Sequence, residues 1–419
     1  MCNDGAEMMT GKMTTRGISV SPHFAPTNIE HVMMTMSFRK IFHTLAACLL
    51  MGSVLTSCSM MEEDLPPCPQ GLDLYFRYDY NLQRANMFPD HVGAVDVYVY
   101  EGKNQQADGS YANWTFVKKF SEAVTPGTTS PFKADGYHMH LDLAPGTYKY
   151  IVLAHQKRYE ETLLTTGAKQ RRTEPAIGDD IKRMAVTLDH NATADALGRF
   201  AVDNGGAPLD TLWHGLRGRD IAGGDSVVVK VNCKPVAQRD TVGLVRDTKH
   251  INIALRELQT PENVDVNNFD FRILDSNARI LWDNTVDETT PLVYTPYRTW
   301  NTSDRTPTPS TATKATTAVG RIAHADFMTS RLIYHSDMSR DAVLSVTNRT
   351  TGEEVIRVDL ADFLSRLRTS ADYRYSAQEF LDRGYDYKLT FFLQGGSWKY
   401  VSIEISVLGW SRRIQREDL

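Results

Sequence analysis

The stretch Tyr385-Asp386-Tyr387-Lys388-Leu389-Thr390-Phe391-Phe392-Leu393-Gln394-Gly395-Gly396-Ser397-Trp398-Lys399-Tyr400-Val401-Ser402-Ile403-Glu404-Ile405-Ser406-Val407 decides the fold class. Apolar residues fall on every second position from Tyr385 to Leu393, and the same period resumes after the two glycines at Val401, Ile403, Ile405 and Val407. A period of two turns one face of an extended chain toward a core, and paired glycines supply the backbone angles of a tight hairpin turn. Two antiparallel strands are therefore expected here.

The same alternation runs through the rest of the chain. Leu72, Leu74, Phe76, Tyr78 and Tyr80 share one face against Asp73, Arg77 and Asp79, and Val95, Val97 and Val99 oppose Asp96, Tyr98 and Tyr100. Met139, Leu141 and Leu143 alternate with His138, His140 and Asp142, and Ala144-Pro145-Gly146-Thr147 reads as a turn into a strand from Tyr148 to Ala154. Val227, Val229, Val231 and Cys233 alternate up to Pro235, and Ile251, Ile253 and Leu255 mark another half-buried strand. A Pro- and Asn-containing stretch from Thr260 to Asn268 separates this block from a second one. That block opens with Phe269, Phe271 and Ile273, a turn at Asp275-Ser276-Asn277, and a return strand from Ile280 to Trp282. Thr299 to Thr317, rich in Thr, Pro and Ser, reads as a loop.

Helix signals are few. Leu360, Phe363, Leu364 and Leu367 stand at helical spacing, and Ser376-Ala377-Gln378-Glu379 is a capping-box pattern ahead of Phe380-Leu381. The expected fold is all-β with minor α, in two tandem β-sandwich domains at residues 68–260 and 268–419.

The N-terminal region has a different grammar. Arg39 and Lys40 precede an apolar run from Ile41 to Leu55, and Leu55-Thr56-Ser57-Cys58 is a lipobox. The run is shorter than the roughly 20 residues that span a bilayer, and no later segment is apolar enough to do so. Residues 36–57 are read as a lipoprotein signal peptide and Cys58 as the acylated first residue of the mature chain. Residues 1–35 are read as an upstream extension that is not native, with translation starting near Met33, Met34 or Met36. Residues 58–67, with Glu62, Glu63, Asp64 and Pro66-Pro67, form an acidic and then stiff spacer. An acidic cluster behind an acylated cysteine resembles a surface-export signal of outer-membrane lipoproteins, and a solvated linker accounts for it equally well.

From Cys58 onward the chain has 362 residues, enough for two domains, and 42% hydrophobic content is ordinary for globular cores. A formal charge of -5 and the lack of a basic stripe exclude nucleic acid as a partner. With Cys58 lipidated, Cys68 and Cys233 remain as a pair available for a disulfide, and two buried thiols explain the count as well.

No phosphate-binding glycine loop, HExxH helix, GxSxG elbow or CxxC pair occurs, so no catalytic residue and no cofactor is assigned. His138, His140 and Asp142 share a strand face and have metal-ligand chemistry, but the opposite face supplies the apolar set and no distant ligand is indicated. They read as a solvated face, and no metal is assigned. His214 and His250 stand alone and read as structural. Trp213, Trp282, Trp300 and Tyr297 have the chemistry of a sugar platform, with core packing as the plainer reading.

The lipobox, the acidic spacer and Cys68-Pro69-Gln70-Gly71-Leu72-Asp73-Leu74-Tyr75-Phe76-Arg77-Tyr78-Asp79-Tyr80-Asn81 together resemble the start of the FimB-type fimbrial anchor family of type V pili. Val95 to Tyr100, Ala144 to Tyr148, Leu212-Trp213-His214-Gly215, Thr241 to Ile253, Phe380-Leu381-Asp382-Arg383, Gly409-Trp410 and Asp418-Leu419 resemble its later segments. The resemblance implies two transthyretin-like sandwiches, an outer-membrane lipid anchor at Cys58, and a place at the base of a fimbria, where the anchor holds the shaft and limits its length. It implies a pilin subunit as partner, joined by β-strand addition, with Lys399 to Leu408 a candidate edge and a core strand the plainer reading. It supplies no catalytic residue. The other function considered is a surface lipoprotein that binds carbohydrate or host, or a fimbrial tip or accessory adhesin.

Overall fold

The structure, a computed structural model, describes residues 71–216, 228–231, 238–304, 320–368, 374–407 and 410–416. Its elements form four sheets. The first has eight strands: β1 (Leu72–Arg77), β2 (Ala94–Gln105), β3 (Tyr111–Ala123), β4 (Met139–Leu141), β5 (Gly146–His155), β9 (Leu212–Leu216), β10 (Val228–Val231) and β11 (Gln238–Arg246). Their order is β3-β2-β5-β9-β11-β1-β4, with β10 paired to β5. Leu72 and Leu74 of β1 meet Val95, Val97 and Val99 of β2 in a single core, so this sheet curls until distant strands face one another.

The outer face of β2 and β5 is covered as well. A four-stranded sheet lies over it, made of β6 (Gln170–Arg172), β7 (Ala185–Leu188), β14 (Arg279–Leu281) and β15 (Val286–Asp287). Tyr98, Tyr100, Ile151 and Leu153 pack there against Val186 and Ile280. Val95 to Tyr100 was expected to be half-buried, yet it is buried on both sides, and Asp96 answers burial with hydrogen bonds from Ser121 and Arg172. Alternation reports the face that a strand turns to its own sheet's core; it is blind to a second layer arriving from residues far away in the chain.

The second sandwich packs six strands on five. The six are β12 (Lys249–Glu257), β17 (Arg298–Asp304), β18 (Gly320–Thr329), β21 (Asp386–Gln394), β22 (Ser397–Val407) and β23 (Trp410–Arg416), in the order β17-β18-β12-β21-β22-β23. The five are β8 (Phe200–Val202), β13 (Phe269–Asp275), β16 (Leu292–Tyr294), β19 (Val343–Asn348) and β20 (Glu354–Asp359). Ile251, Ile253, Phe327, Leu389 and Phe391 meet Phe271, Ile273, Leu344 and Val346 between the layers, each side chain worth about 1.5–3 kcal/mol on burial. The expected hairpin is present, with Gly395 at φ 62° and Gly396 at φ 85° between β21 and β22.

Among the described residues there are four short α-helices: α1 (Phe88–His91), α2 (Tyr159–Leu164), α3 (Leu360–Ser365) and α4 (Ala377–Arg383). The last two are those the sequence signals. Leu360, Phe363 and Leu364 are buried, and the Ser376 hydroxyl accepts from the Glu379 amide at 3.0 Å as a capping box requires.

Three expectations are revised. Ile280 to Trp282 does not return along β13; β14 pairs instead with β7 and β15, while β13 pairs with β16 and β19. Buried Asn277 redirects the chain at this turn by donating to Asp275 and to the Arg331 carbonyl and accepting from the Tyr294 hydroxyl. The Thr299 to Thr317 loop begins later than its composition suggests, since β17 runs to Asp304 along β18. Third, strand membership crosses the boundary read at Thr260 to Asn268. Strand β12, upstream of it, lies in the second sandwich between β18 and β21; β7 pairs with β14, and β8 with β16. A period-two strand fits either sheet equally, so its pattern could not tell which one would take it.

Candidate functional site

Cys58, Cys68 and Cys233 lie outside the described residues. His138 and His140 both turn toward Asp73 of the neighbouring β1, with His140 Nδ1 2.8 Å and His138 Nε2 3.8 Å from its carboxylate. Asp142 points elsewhere, to Lys118 at 3.8 Å. The two histidines thus form an exposed polar edge with Asp73, and Asp142 does not join them.

The aromatic candidates do not share a surface either. Trp213 is buried against Tyr78, with ring centroids 5.8 Å apart. Trp282 and Trp114 flank the Lys149 ammonium at 5.8 and 4.7 Å. On the outer face of the six-stranded sheet, Trp300 stacks on His324 at 4.8 Å and lies under the Arg298 guanidinium at 4.6 Å. Tyr297 sits beside His250.

The lone histidines have defined structural tasks. His214 is buried, which lowers its pKa to about 4, and the neutral ring donates from Nε2 to the Trp282 carbonyl at 3.1 Å. His250 bridges two carboxylates, with Nδ1 2.7 Å from Asp386 and Nε2 3.5 Å from Asp326. Partial burial opposes its charge, but the hydrogen bonds to Asp326 and Asp386 outweigh burial and raise its pKa to about 9. A raised folded-state pKa gives stability that is fully present below the ordinary value of 6.5 and lost as pH climbs through about 9. Replacing His250 with Gln is expected to cost about 1–3 kcal/mol near neutral pH and little in alkali beyond the folded-state pKa. Urea unfolding of both proteins across that range checks this; a cost independent of pH would show that the charge is not what stabilises.

The two sandwiches meet where the alternating pattern breaks, at Arg246-Asp247-Thr248-Lys249 between β11 and β12. Lys249 is fully buried, and its ammonium donates to the carbonyls of Arg246, Asp382 and Gly384 at 3.1, 3.1 and 2.8 Å. Asp247, also buried, accepts from Asn284 at 3.2 Å. Burial drives both groups toward their neutral forms, raising the Asp247 pKa and lowering that of Lys249. Beside them Arg331 grips Asp382 with Nε and Nη2, each at 2.8 Å, and donates from Nη1 to the Asn284 carbonyl. The Arg383 guanidinium stacks 3.9 Å from the Tyr80 ring centroid, and Arg246 covers Tyr385 at 4.3 Å. None of Asp247, Lys249 and Arg331 was singled out from sequence. The charged run between two strong strands was the available signal, because a buried passage from one sheet to another needs polar partners for its unpaired carbonyls.

The described end of the chain sets the sheet's outer edge. Strand β22 is paired on both sides, to β21 and to β23, so Lys399 to Val407 of the expected edge is an internal strand, the plainer of the two readings, while Leu408 lies outside the described residues. Among the described residues the two edges of this sheet are β17 and β23, and β23 is unforeseen because Trp410 to Arg416 lacks an alternating apolar face.

Two β-sandwiches joined by a buried polar cluster define a double-sandwich protein. The particular family follows from the sequence profile of the fimbrillin-A associated anchor proteins Mfa1 and Mfa2, which matches residues 65–416, and the chain belongs to this family. The fold is similar to that of a candidate adhesin from Bacteroides thetaiotaomicron, at 24% identity over 84% of this chain and 99% of that one, with a TM-score of 0.60. It is also similar to a candidate polysaccharide-binding protein of the same organism, at 25% identity over 84% and 100% of the two chains, with a TM-score of 0.58. A candidate adhesin from Bacteroides ovatus gives 23%, 84%, 97% and 0.54 in the same terms. No protein with a curated description matches the chain. The family makes this a fimbria-associated protein of the cell surface or membrane, in a structural and not an enzymatic family.

Proposed function

We propose that this protein is the lipid-tethered anchor at the base of a fimbria, fixed in the outer membrane through acylated Cys58 and joined to the first shaft subunit by β-strand addition, which limits fimbria length. The observation that carries this reading is the match to an anchor family over residues 65–416, a span that begins just after the lipobox cysteine. The family resemblance of the opening motifs agrees with it.

In strand addition, main-chain hydrogen bonds to an unpaired edge supply affinity and alternate side chains supply register. Edge strand β23 takes the place that Lys399 to Leu408 had in the sequence reading. Truncation after Gly409 is expected to leave a folded, membrane-bound chain that no longer captures the shaft subunit in co-purification. Undiminished capture by that chain would refute the use of β23.

A disulfide between Cys68 and Cys233 fits the same picture. Parallel pairing sets Leu72 beside Gln238, which leaves four positions back to Cys68 and five to Cys233. Such a bridge would staple β1, the strand nearest the tether, to β11 across a long loop, worth about 5 kcal/mol in the chain-entropy model. Alkylation of the denatured protein should then add mass at these cysteines only after reduction; labelling without reductant would show free thiols.

A further inference from the structure

The curled sheet leaves a cleft beside the second half of β1. Strand β4 pairs with β1 only as far as Leu74, and beyond it the chain from Lys133 to Tyr137 swings away. The space between has a volume of about 530 Å³, within the range of small-molecule sites. Buried Phe76, Phe88 and Phe132 form its floor. Half-exposed Tyr75 and Tyr137 form its aromatic walls, and Thr241 stands directly across from Tyr75 in the β1–β11 register.

The polar groups at the rim decide what kind of ligand fits. Arg77 is already matched by Asp79 at 2.8 Å, and Lys133 by Asp90 at 3.1 Å. Asp135, exposed at the same rim, makes no ion pair among the described residues. An anionic ligand would have to displace two carboxylates and face a third, so phosphates and acidic sugars are disfavoured. Asn86 spends its Oδ1 on the amides of Tyr78 and Phe88, which leaves its Nδ2 as a donor. The Asp135 carboxylate accepts, and the exposed Thr241 hydroxyl does both. Aromatic walls with interleaved neutral donors and acceptors suit a pyranose, whose C–H face packs on a ring while its hydroxyls need both kinds of partner.

From this geometry we propose that the β1 cleft is a binding site for neutral saccharides, the size of a disaccharide, with Tyr75, Asp135 and Thr241 as its recognition residues. The site is independent of the anchoring role and of edge strand β23. It is also separate from Trp300, which lies on the six-stranded sheet with His324 and Arg298, whereas Tyr75 lines the cleft with its ring tilted against His138 at 5.1 Å.

The test is isothermal titration of the full chain, in a detergent without a sugar head group, with lactose, maltose, cellobiose and N,N′-diacetylchitobiose. At least one is expected to bind. Its affinity should fall about tenfold or more in Tyr75→Ala, while Trp300→Ala binds as the parent does. Thr241→Lys, which fills the cleft from an exposed position, serves as the second variant should Tyr75→Ala unfold. The proposal is overturned if none of the four sugars binds, if binding survives in the folded variants, if Trp300→Ala abolishes it, or if sulfated lactose binds more tightly than lactose.

Discussion

Cells producing the Cys58→Ala protein are expected to shed fimbriae into the medium, or carry them abnormally long, and the protein should be lost from the outer-membrane fraction. The reasoning is chemical. Lipidation of a lipobox begins with alkylation of the cysteine sulfur, and alanine offers no nucleophile, so every later acyl chain is lost with the first. Each buried methylene contributes about 0.8 kcal/mol, and stable anchoring takes two or more chains. Among the described residues no helix is long and apolar enough to cross a membrane and replace them. Fractionation with immunodetection and microscopy of the fimbriae reads the result. An outer-membrane-bound variant with unchanged fimbriae would remove both the lipid assignment and the anchor reading built on it.

A second large effect is expected from Asp382→Ala, at about 3–5 kcal/mol of destabilisation. The side chains of Arg331 and Asp382 are only 5% and 2% exposed, so the substitution strands a guanidinium with no water to take it up. Burial opposes the Arg331 charge, but the Asp382 carboxylate outweighs it and holds the group protonated. Folded domains have about 5–15 kcal/mol in hand, so this one change consumes a large share. Because Asp382 also accepts from Gln378 at 3.0 Å, part of the cost is a second lost hydrogen bond. Replacing both ionic partners, as in Arg331→Met with Asp382→Leu, should cost less than Asp382→Ala alone, since no charge is left unpaired. Urea unfolding of the three proteins separates the cases. A cost below about 1 kcal/mol for Asp382→Ala would mean that the pair does not hold α4 against the chain that follows β18.

These residues also explain the motifs on which the family resemblance rests. In Phe380-Leu381-Asp382-Arg383, the first two are fully buried core, the third pairs with Arg331, and the fourth stacks on Tyr80. In Leu212-Trp213-His214-Gly215, Trp213 packs on Tyr78 and His214 bonds the Trp282 carbonyl. A Cβ at Gly215 would lie 2.5 Å from that of Val152 on the adjacent strand, so only glycine lets β9 and β5 approach. The motifs mark where distant strands are fastened together; none is assigned a catalytic task.

Local grammar made much of the fold legible. Alternation located β1, β12, β13, β21 and β22, a capping box located α4, and an apolar stripe located α3, because each depends on neighbours within one element. The β14 pairing, the second layer over β2 and β5, and the exchange of strands across Thr260 to Asn268 depend on partners a hundred or more residues away in several cases. Of the proposed sites, the Cys58 tether rests on a motif contained in four consecutive residues and is legible for that reason, whereas the β1 cleft arises only where β4 stops short and Lys133 to Tyr137 departs.

By itself the sequence determined the class of the protein: an all-β chain with the marks of a fimbrial anchor family, and it carries the Leu55-Thr56-Ser57-Cys58 motif on which the proposed tether rests. Side-chain period, turn residues and a processing motif are properties of short stretches, and they survive without knowledge of the fold. Tertiary structure alone decided that β22 is internal and β23 lies at an edge, that Asp247, Lys249, Arg331 and Asp382 gather in one buried cluster, and that a cleft opens beside Tyr75. Those features are set by which strands meet, and strands of the same period compete equally until long-range packing selects one pairing.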